Sequence, residues 1–267
     1  MFRINEGIKL LTQNQIGVLY MVGSVICFSI MDICVKWLDY YPVGQVLFLR
    51  FFIGFIPIFF IIPKDKLFSF YKTSRPGLHA FRAISGALAI IALFYGLREL
   101  PLADVVSLTF GGPIFVTVAS IFFLSEKVGI KRWFAVFLGF IGMLLIVQPA
   151  FIDLNYYYIS PIIFCIFFAC VAISVRSLSK TEANYTIAFY FTLLCTIIGL
   201  SSIFFVDWIM PTKIDLFIFI IMALCGSIAN LLLTQSYRLA ETSLVTPIKY
   251  LSLVFAIVFG FLIWSEI

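Results

Sequence analysis

Nine apolar stretches of membrane-spanning length follow one another along this chain of 267 residues. A helix needs about 20 residues to cross a hydrocarbon core of roughly 30 Å. Runs of this length, rich in Leu, Ile, Phe, Ala and Gly, lack the polar-apolar alternation of a membrane barrel strand. The sequence therefore predicts transmembrane helices near residues 17–38, 43–62, 82–99, 103–123, 133–148, 159–178, 187–206, 215–237 and 244–264.

The composition supports an all-α integral membrane protein embedded in a lipid bilayer. Hydrophobic residues make up 63% of the chain and charged residues 12%, whereas about a quarter of the residues of a soluble domain are charged. No small-residue cleavage signature follows the first stretch, so we expect it to be retained. The six cysteines lie in apolar stretches and form no C-x-x-C motif, so we interpret them as small buried hydrophobes.

The chain matches itself without a gap when it is shifted by 140 residues. Chance matches in an apolar chain fall on Leu, Phe and Ile, so the charged, Gly and Ser-Glu matches carry the evidence. These matches place Lys36 on Arg176, Gly86 on Gly226, Arg98 on Arg238, and Ser125-Glu126 on Ser265-Glu266. We therefore predict two five-helix repeats, residues 1–148 and 149–267, with nine helices present of an expected ten. A nine-helix protein is the alternative.

Cations concentrate in alternate connections between the apolar stretches. By the positive-inside rule, the side that carries them is cytoplasmic, and it includes the N-terminus. Because five helices are an odd number, the second repeat must enter the membrane in the opposite orientation, so the repeats are inverted. One side holds Arg3, Lys9, Lys64, Lys66, Lys72, Arg75, Arg82, Lys127, Lys131, Arg132, Arg176, Lys180 and Arg238, and the other holds Lys36, Arg98 and Lys213.

Inverted repeats are the architecture of many secondary transporters. Two related halves can exchange conformations and so open a site at the middle of the membrane to alternate sides. The sequence therefore predicts a transporter that works by alternating access.

Four ionisable residues lie inside predicted helices, where charge is costly and usually faces a cavity or a partner. Asp32 and Lys36 are four residues apart and share one helix face, where they can pair. Arg50 lies deep in the second helix, and Lys249 lies in the ninth. We interpret all four as candidates for substrate binding. The structural alternatives are snorkelling of Lys36 and Lys249 to the surface and helix ties made by Arg50.

Polar residues and helix breakers suggest further parts of a site. Asn230 and Gln235 lie on the eighth helix, where they either line a wet face or join helices by hydrogen bonds. Gly112 and Pro113 interrupt the fourth helix, and Pro247 precedes Lys249 in the ninth. Broken helices near the midplane are where transporters bind polar substrates.

Several functional classes are not supported by the sequence. There is one histidine, His79, and neither a Walker nor a G-x-G-x-x-G loop, so we expect no metal site, no cofactor and no ATP motor. The loops carry no plausible nucleophile-base set, so we predict that the chain is not an enzyme. The net charge of +5 reflects topology, and we expect no nucleic-acid partner. The expected partners are a small-molecule metabolite, a coupling proton or exchanged solute, and a second copy in a homodimer.

Three short motifs of the chain are typical of one transporter family: Arg50 in Phe-Leu-Arg-Phe-Phe, Gly112-Pro113, and Phe-Leu-Ser-Glu ending at Glu126 before Arg132-Trp133. They are the basis of a resemblance to the EamA-type transporters of the drug/metabolite transporter superfamily. This resemblance implies ten helices in two inverted halves. Other stretches resemble S-adenosylmethionine uptake transporters: Asp32 with Lys36-Trp37-Leu38, Lys72 to Pro76 with His79 and Arg82, Tyr95-Gly96-Leu97, and Pro247 with Lys249-Tyr250-Leu251.

That resemblance implies specific roles for an S-adenosylmethionine substrate. Asp32 would face its sulfonium or ammonium group, and Arg50 or Lys249 its carboxylate. Tyr95 or Tyr250 would stack on its adenine. We therefore predict an inner-membrane secondary transporter of a small polar metabolite. The alternatives are an amino-acid or metabolite exporter, a riboflavin transporter, and a membrane scaffold without transport.

Overall fold

The computed structural model describes residues 12–124, 128–147 and 156–265, and every regular element in them is helical. Four short 3-10 turns join or extend the α-helices, at Lys64–Lys66, Tyr156–Tyr158, Ser202–Phe204 and Thr246–Tyr250. The α-helices are α1 (Gln13–Trp37), α2 (Val43–Ile53), α3 (Phe55–Ile61), α4 (Pro76–Glu99), α5 (Leu102–Thr109), α6 (Gly112–Leu124), α7 (Ile130–Val147), α8 (Ile159–Leu178), α9 (Asn184–Ser201), α10 (Lys213–Leu239), α11 (Thr242–Val245) and α12 (Leu251–Trp264).

Helices occupy all nine predicted positions within the described ranges. Eight segments are long and apolar enough to cross a membrane, and α7, with 18 residues, lies at the fifth predicted position. The chain is thus a multi-pass membrane protein. The Ser125-Glu126 motif and Glu266 lie outside the described residues.

The third predicted helix begins six residues earlier than expected. Pro76 occupies the first helical position of α4, where its fixed φ suits a helix and its missing N–H costs nothing. His79 and Arg82 are therefore helical residues, and both are only 2% exposed. The assignment of Arg82 to a loop was wrong, because the helix starts at the proline rather than at the end of the charged residues.

Three membrane-crossing segments are interrupted. The second breaks at Gly54 between α2 and α3, and the other two interruptions lie in the fourth and the last segments. The fourth segment breaks between α5 and α6 at Phe110 and Gly111. In the last segment, the 3-10 turn Thr246–Tyr250, with Pro247 in its first turn, separates α11 from α12. The ring of Tyr250 packs edge-on against the ring of Phe110 at 4.9 Å, so the two interruptions are in contact.

Two helix pairs have the most extensive packing in the bundle, α1 with α10 and α4 with α8. Ser24 of α1 donates to the carbonyl of Ala229, and Ser236 of α10 donates to that of Gly17, at 2.8 and 2.7 Å. The start of α1 therefore lies beside the end of α10, so this pair is antiparallel. We call the side of the bundle where α1 begins the first face and the side where α1 ends the second face.

The second face is also where α4 ends. Lys36, in the last turn of α1, donates through Nζ to the carbonyl of Leu100, which caps α4, at 3.0 Å. The start of α4 accordingly lies at the first face. The outer surface of the bundle is rich in exposed large apolar side chains, such as Phe60, Phe122 and Phe204, as expected for contact with lipid tails.

Candidate functional site

A cavity of about 100 Å³ lies inside the bundle. Residues from α1, α2, α4, α5, α8, α9, α10 and α12 and from the last 3-10 turn surround it, so nearly every segment contributes to its wall. Its lining is mostly apolar, with a few charged and polar groups: Val25, Phe28, Met31, Asp32, Arg50, Arg82, Gly86, Ala89, Ile90, Leu93, Val106, Thr109, Phe164, Phe168, Val171, Phe191, Asn230, Leu233, Lys249 and Ser252.

Arg50 reaches the cavity from α2 and is 3% exposed. Its guanidinium carbon lies 4.5 Å from the centre of the Phe51 ring and 5.6 Å from that of Phe94. Its Nε and Nη1 atoms are buried without a hydrogen-bond partner. A planar cation can be held over an aromatic face, but the ring does not neutralise its charge.

Arg82 occupies the cavity wall on α4. Its Nη2 donates to Oδ1 of Asn230 at 3.1 Å, and its guanidinium carbon lies 3.9 Å from the centre of the Phe191 ring. Nε and Nη1 of Arg82 are buried without a hydrogen-bond partner. Asn230 is thus a neutral acceptor that orients the Arg82 fork.

Lys249 enters the cavity from the 3-10 turn that follows α11. Its Nζ lies 3.6 Å from the centre of the Phe168 ring and 5.3 Å from that of Phe164, both on α8. The side chain therefore crosses to the opposite wall and does not extend along its own helix to a surface. Snorkelling does not describe this geometry.

Asp32 is the one acidic residue among the described residues that line the cavity. Arg50, Arg82 and Lys249 are the cations that line the same cavity as its carboxylate. Its Oδ1 is buried without a hydrogen-bond partner. A small second cavity of about 10 Å³, near the size of one water molecule, borders Asp32 together with Ser29 and Ser252.

The structure brings together four of the eight proposed binding residues, Asp32, Arg50, Asn230 and Lys249. The other four are absent from the described cavity lining. Lys36 contacts Leu100 and lies 5.5 Å from the Trp264 ring. Gln235 accepts from Asn184 at 3.5 Å, and Tyr95 is 48% exposed. The hydroxyl of Tyr250 donates to the carbonyl of Val136 at 3.1 Å.

Sequence reasoning missed Arg82 and the aromatic rings that carry the cations. One signal was present: a proline at position 76 marks a helix start, which places Arg82 almost two turns inside a helix. Arg82 then shares a helix face with Gly86, Ala89 and Leu93, all of which line the cavity. The rings of Phe168 and Phe191 had no comparable signal in a chain with 32 phenylalanines.

No group of three or more His, Cys, Asp or Glu residues suited to a metal ion occurs in the described ranges. All six cysteines are free thiols. The site is instead a small chamber with aromatic walls and mixed charge, enclosed by membrane-length helices. This arrangement defines a polytopic membrane protein built around an internal chamber, mostly apolar, that contains a few charged groups.

Comparison with known proteins gives the family. Residues 15–148 match the EamA-like transporter family, and the chain belongs to it. The protein is therefore a membrane transporter of the drug/metabolite transporter superfamily and not an enzyme. Its substrate class is small metabolites.

Curated relatives with different substrates match at similar identity. A pseudopaline exporter of Pseudomonas aeruginosa is 26% identical over 256 residues, covering 94% of this chain and 88% of the relative. An S-adenosylmethionine uptake transporter of Rickettsia bellii is 25% identical, covering 98% and 89%. A riboflavin transporter of Rhizobium johnstonii is 26% identical, covering 94% and 83%. The identities do not separate these substrates.

A solved crystal structure has the same fold, with a TM-score of 0.76 at 14% sequence identity. The match covers 94% of this chain and 88% of the other. At this identity the likeness concerns the fold alone.

Proposed function

We propose that the protein is a secondary transporter that moves a small polar metabolite across the inner membrane by alternating access around the central cavity. The observation that carries the proposal is the enclosure of Asp32, Arg50, Arg82 and Lys249 in one chamber. Ionisable groups inside a membrane are costly, and several of them around one chamber are best accounted for by a polar solute. A scaffold would not need these groups to face a common cavity.

Alternating access requires two halves that exchange roles, and contacts between matched residues support inverted repeats. Phe51 and Phe191, separated by 140 positions, pack edge to face with ring centres 5.1 Å apart. Phe110 and Tyr250 have the same separation and the same type of contact. A residue can touch its own counterpart only near the axis that relates two copies. These pairs therefore support repeats at 1–148 and 149–267.

Helix pairing and helix ends follow the same register. The pair α1 and α10 becomes α8 and α4 under a shift of 140 residues, and both pairs are packed. Lys36 donates to the carbonyl of Leu100 within the first half. Its counterpart Arg176 donates to the carbonyl of Arg238 at 3.1 Å within the second half. Each half thus uses a cation on its first helix to cap the end of its third.

A carboxylate at the first face joins the residues after α8 to those before α4. Glu182, which follows α8, accepts from the hydroxyl of Thr73 at 2.8 Å and from the N–H of Ser74 at 3.1 Å, just before α4. The carbonyl of Glu182 also accepts from the Arg238 guanidinium. We call this group the Glu182 latch. It joins segments from the two proposed halves.

A second carboxylate, at the second face, joins the start of α10 to the residues after α1. Asp215, in the first turn of α10, accepts from the hydroxyls of Tyr40 and Tyr41 at 2.6 and 2.9 Å, just after α1. Burial and the hydrogen bond to Asp215 raise the pKa of Tyr41, so its hydroxyl remains a donor at physiological pH. We call this group the Asp215 latch. In the proposed cycle the two latches open alternately.

The proposed topology places the N-terminus and the first face in the cytoplasm, as the distribution of loop cations suggests. Because Arg82 lies within α4 and not in the loop before it, the cytoplasmic side has one cation fewer than predicted. The cations that still precede α4 on that side are Lys64, Lys66, Lys72 and Arg75. Reporter fusions at the N-terminus and in the loop at 206–212 test the topology. An N-terminus that is accessible from outside the cell would overturn it.

Transport itself is tested with the full-length protein in vesicles. We expect saturable uptake and counterflow of at least one solute from a panel of S-adenosylmethionine, riboflavin and amino acids. Asp32→Asn and Arg50→Ala should lower the rate at unchanged membrane abundance, because both side chains border the cavity. Wild-type rates in both variants would remove the cavity from the transport path. If Asp32 carries a coupling proton, Asp32→Asn should also abolish stimulation by a proton gradient.

A further inference from the structure

The charges of the cavity are strongly unequal. Arg50, Arg82 and Lys249 supply three cations, and Asp32 supplies one carboxylate among the described lining residues. No neighbouring carboxylate is hydrogen-bonded to either guanidinium in the described ranges. Instead Arg50, Arg82 and Lys249 lie over the rings of Phe51, Phe191 and Phe168.

Uncompensated positive charge in a membrane interior is unfavourable, and an anion is the partner that relieves it. The unpartnered donors on Arg50 and Arg82 are suited to carboxylate or other oxyanion groups. Buried charges that are paired and hydrogen-bonded lose most of their desolvation penalty. The cavity is therefore better matched to an anionic solute than to a neutral or cationic one.

The size of the cavity adds a second constraint. Sites for drug-sized ligands usually have about 300–1,000 Å³, whereas this chamber has about 100 Å³. A compact dicarboxylate is closer in size to this chamber than a drug-sized ligand is. S-adenosylmethionine is much larger and carries net positive charge, so it would require expansion of the chamber and would add a cation beside three others.

We infer that the cavity selects small organic anions that carry carboxylate groups. Arg50 and Arg82 bind the carboxylates, Lys249 contributes a third positive charge, and Asp32 limits the net charge that the solute must balance. The inference rests on the proposed function, since it assigns a substrate class to the same chamber.

The first test uses the full-length wild-type protein in proteoliposomes and solutes of one shape. Uptake is measured for succinate, a dianion, for succinamate, a monoanion, and for succinamide, which is neutral, with S-adenosylmethionine and riboflavin in parallel. We expect uptake to fall in the order succinate, succinamate, succinamide. Preference for the neutral amide, for riboflavin or for S-adenosylmethionine would overturn the inference and leave the proposed transport function standing. If no solute of this panel moves, the inference fails, and the proposed transport function is decided by the panel that includes amino acids.

The second test removes one cation. Arg82→Gln should reduce the preference for succinate over succinamide about tenfold, the size of one lost charge-assisted hydrogen bond. Arg98→Gln is the matched control, because Arg98 lies on the same helix, is half-buried and is absent from the described cavity lining. An equal change in both variants would overturn the role of Arg82. If Arg82→Gln does not fold, Lys249→Gln with Lys180→Gln as its control makes the same comparison.

Discussion

The Arg82 guanidinium and the Asn230 side chain, carried by α4 and α10, are joined by a hydrogen bond of 3.1 Å inside the membrane-spanning bundle. The bond connects a helix of the first proposed repeat to a helix of the second. It also fixes the position of a cation that lacks a carboxylate partner in the described lining.

Replacing Asn230 with Leu should destabilise the protein by about 1.5–3 kcal/mol, because a buried charged donor loses its acceptor. Asn230→Asp is the matched control, since it keeps an acceptor at the same position. We expect a lower denaturation temperature in detergent for the Leu variant alone, as measured by thermal unfolding. Equal losses in both variants would show that an acceptor at this position does not account for the stability.

Two glycines bring the cavity helices close to its cations, and alanine substitutions there should be costly. A Cβ at Gly86 would lie 2.5 Å from Arg82 Nη1 and 2.5 Å from the Phe191 ring, and one at Gly226 would lie 2.8 Å from Arg50 Nε. Overpacking of this kind costs about 1–3 kcal/mol. We expect Gly86→Ala to lower both thermal stability and transport.

The loss of stability on adding a Cβ should differ from one glycine to the next. Gly226→Ala should cost less, because its nearest atoms belong to the flexible side chains of Arg50 and Met31. Gly77→Ala is the control, since a Cβ there would meet nothing within 4 Å. A loss of stability in Gly77→Ala as large as in Gly86→Ala would contradict the packing argument.

The ring of Phe168 should stabilise Lys249 more than that of Phe164 does. The ammonium lies 3.6 Å from the first ring centre and 5.3 Å from the second, and a desolvated cation–π contact is worth about 2 kcal/mol. Phe168→Leu should therefore weaken transport more than Phe164→Leu, with Phe204→Leu on the exposed surface as a control. Initial uptake rates at equal membrane abundance check the order. A larger loss of transport in Phe164→Leu than in Phe168→Leu would show that Lys249 does not stay over the Phe168 ring during transport.

The two latches should respond in opposite directions. Glu182→Ala removes the acceptor at the first face, and Tyr41→Phe removes a donor at the second. Each loss of about 1 kcal/mol shifts the balance of open faces about fivefold. Backbone hydrogen exchange should become faster at 70–82 in Glu182→Ala and at 38–45 in Tyr41→Phe. In each variant, exchange at the opposite face should become slower. Faster exchange at both faces in either variant would contradict coupled latches.

The nine helical regions could be predicted from the sequence because a run of apolar residues of the right length has few alternatives in lipid. The interruption at Gly54 and the exact ends of the helices could not. The sequence was less informative about which side chains face inward. The helices are apolar all round, so the one-sided pattern that marks the core face of a soluble helix is weak. Asp32, Arg50, Asn230 and Lys249 were identified from charge and polarity, which remain informative in such helices.

The same reasoning explains what sequence analysis did not find. Tyr95 and Tyr250 were proposed to stack on an adenine, which any accessible aromatic ring can do. The structure places both outside the described cavity lining. Arg82 was assigned to a loop because a run of charged residues precedes it, although Pro76 had already started the helix. A helix boundary displaced by six residues was enough to hide a third cation of the cavity.

The contact between Phe110 and Tyr250 has a mechanical consequence. Both residues lie where a membrane-crossing helix is interrupted, and the two rings meet at the shared position. When one interrupted helix bends, the helix that packs against it must also bend to avoid a clash, and here the two interruptions are in contact. Tilting one broken helix about this contact would displace its two ends in opposite directions. One face of the bundle would then open as the other narrows.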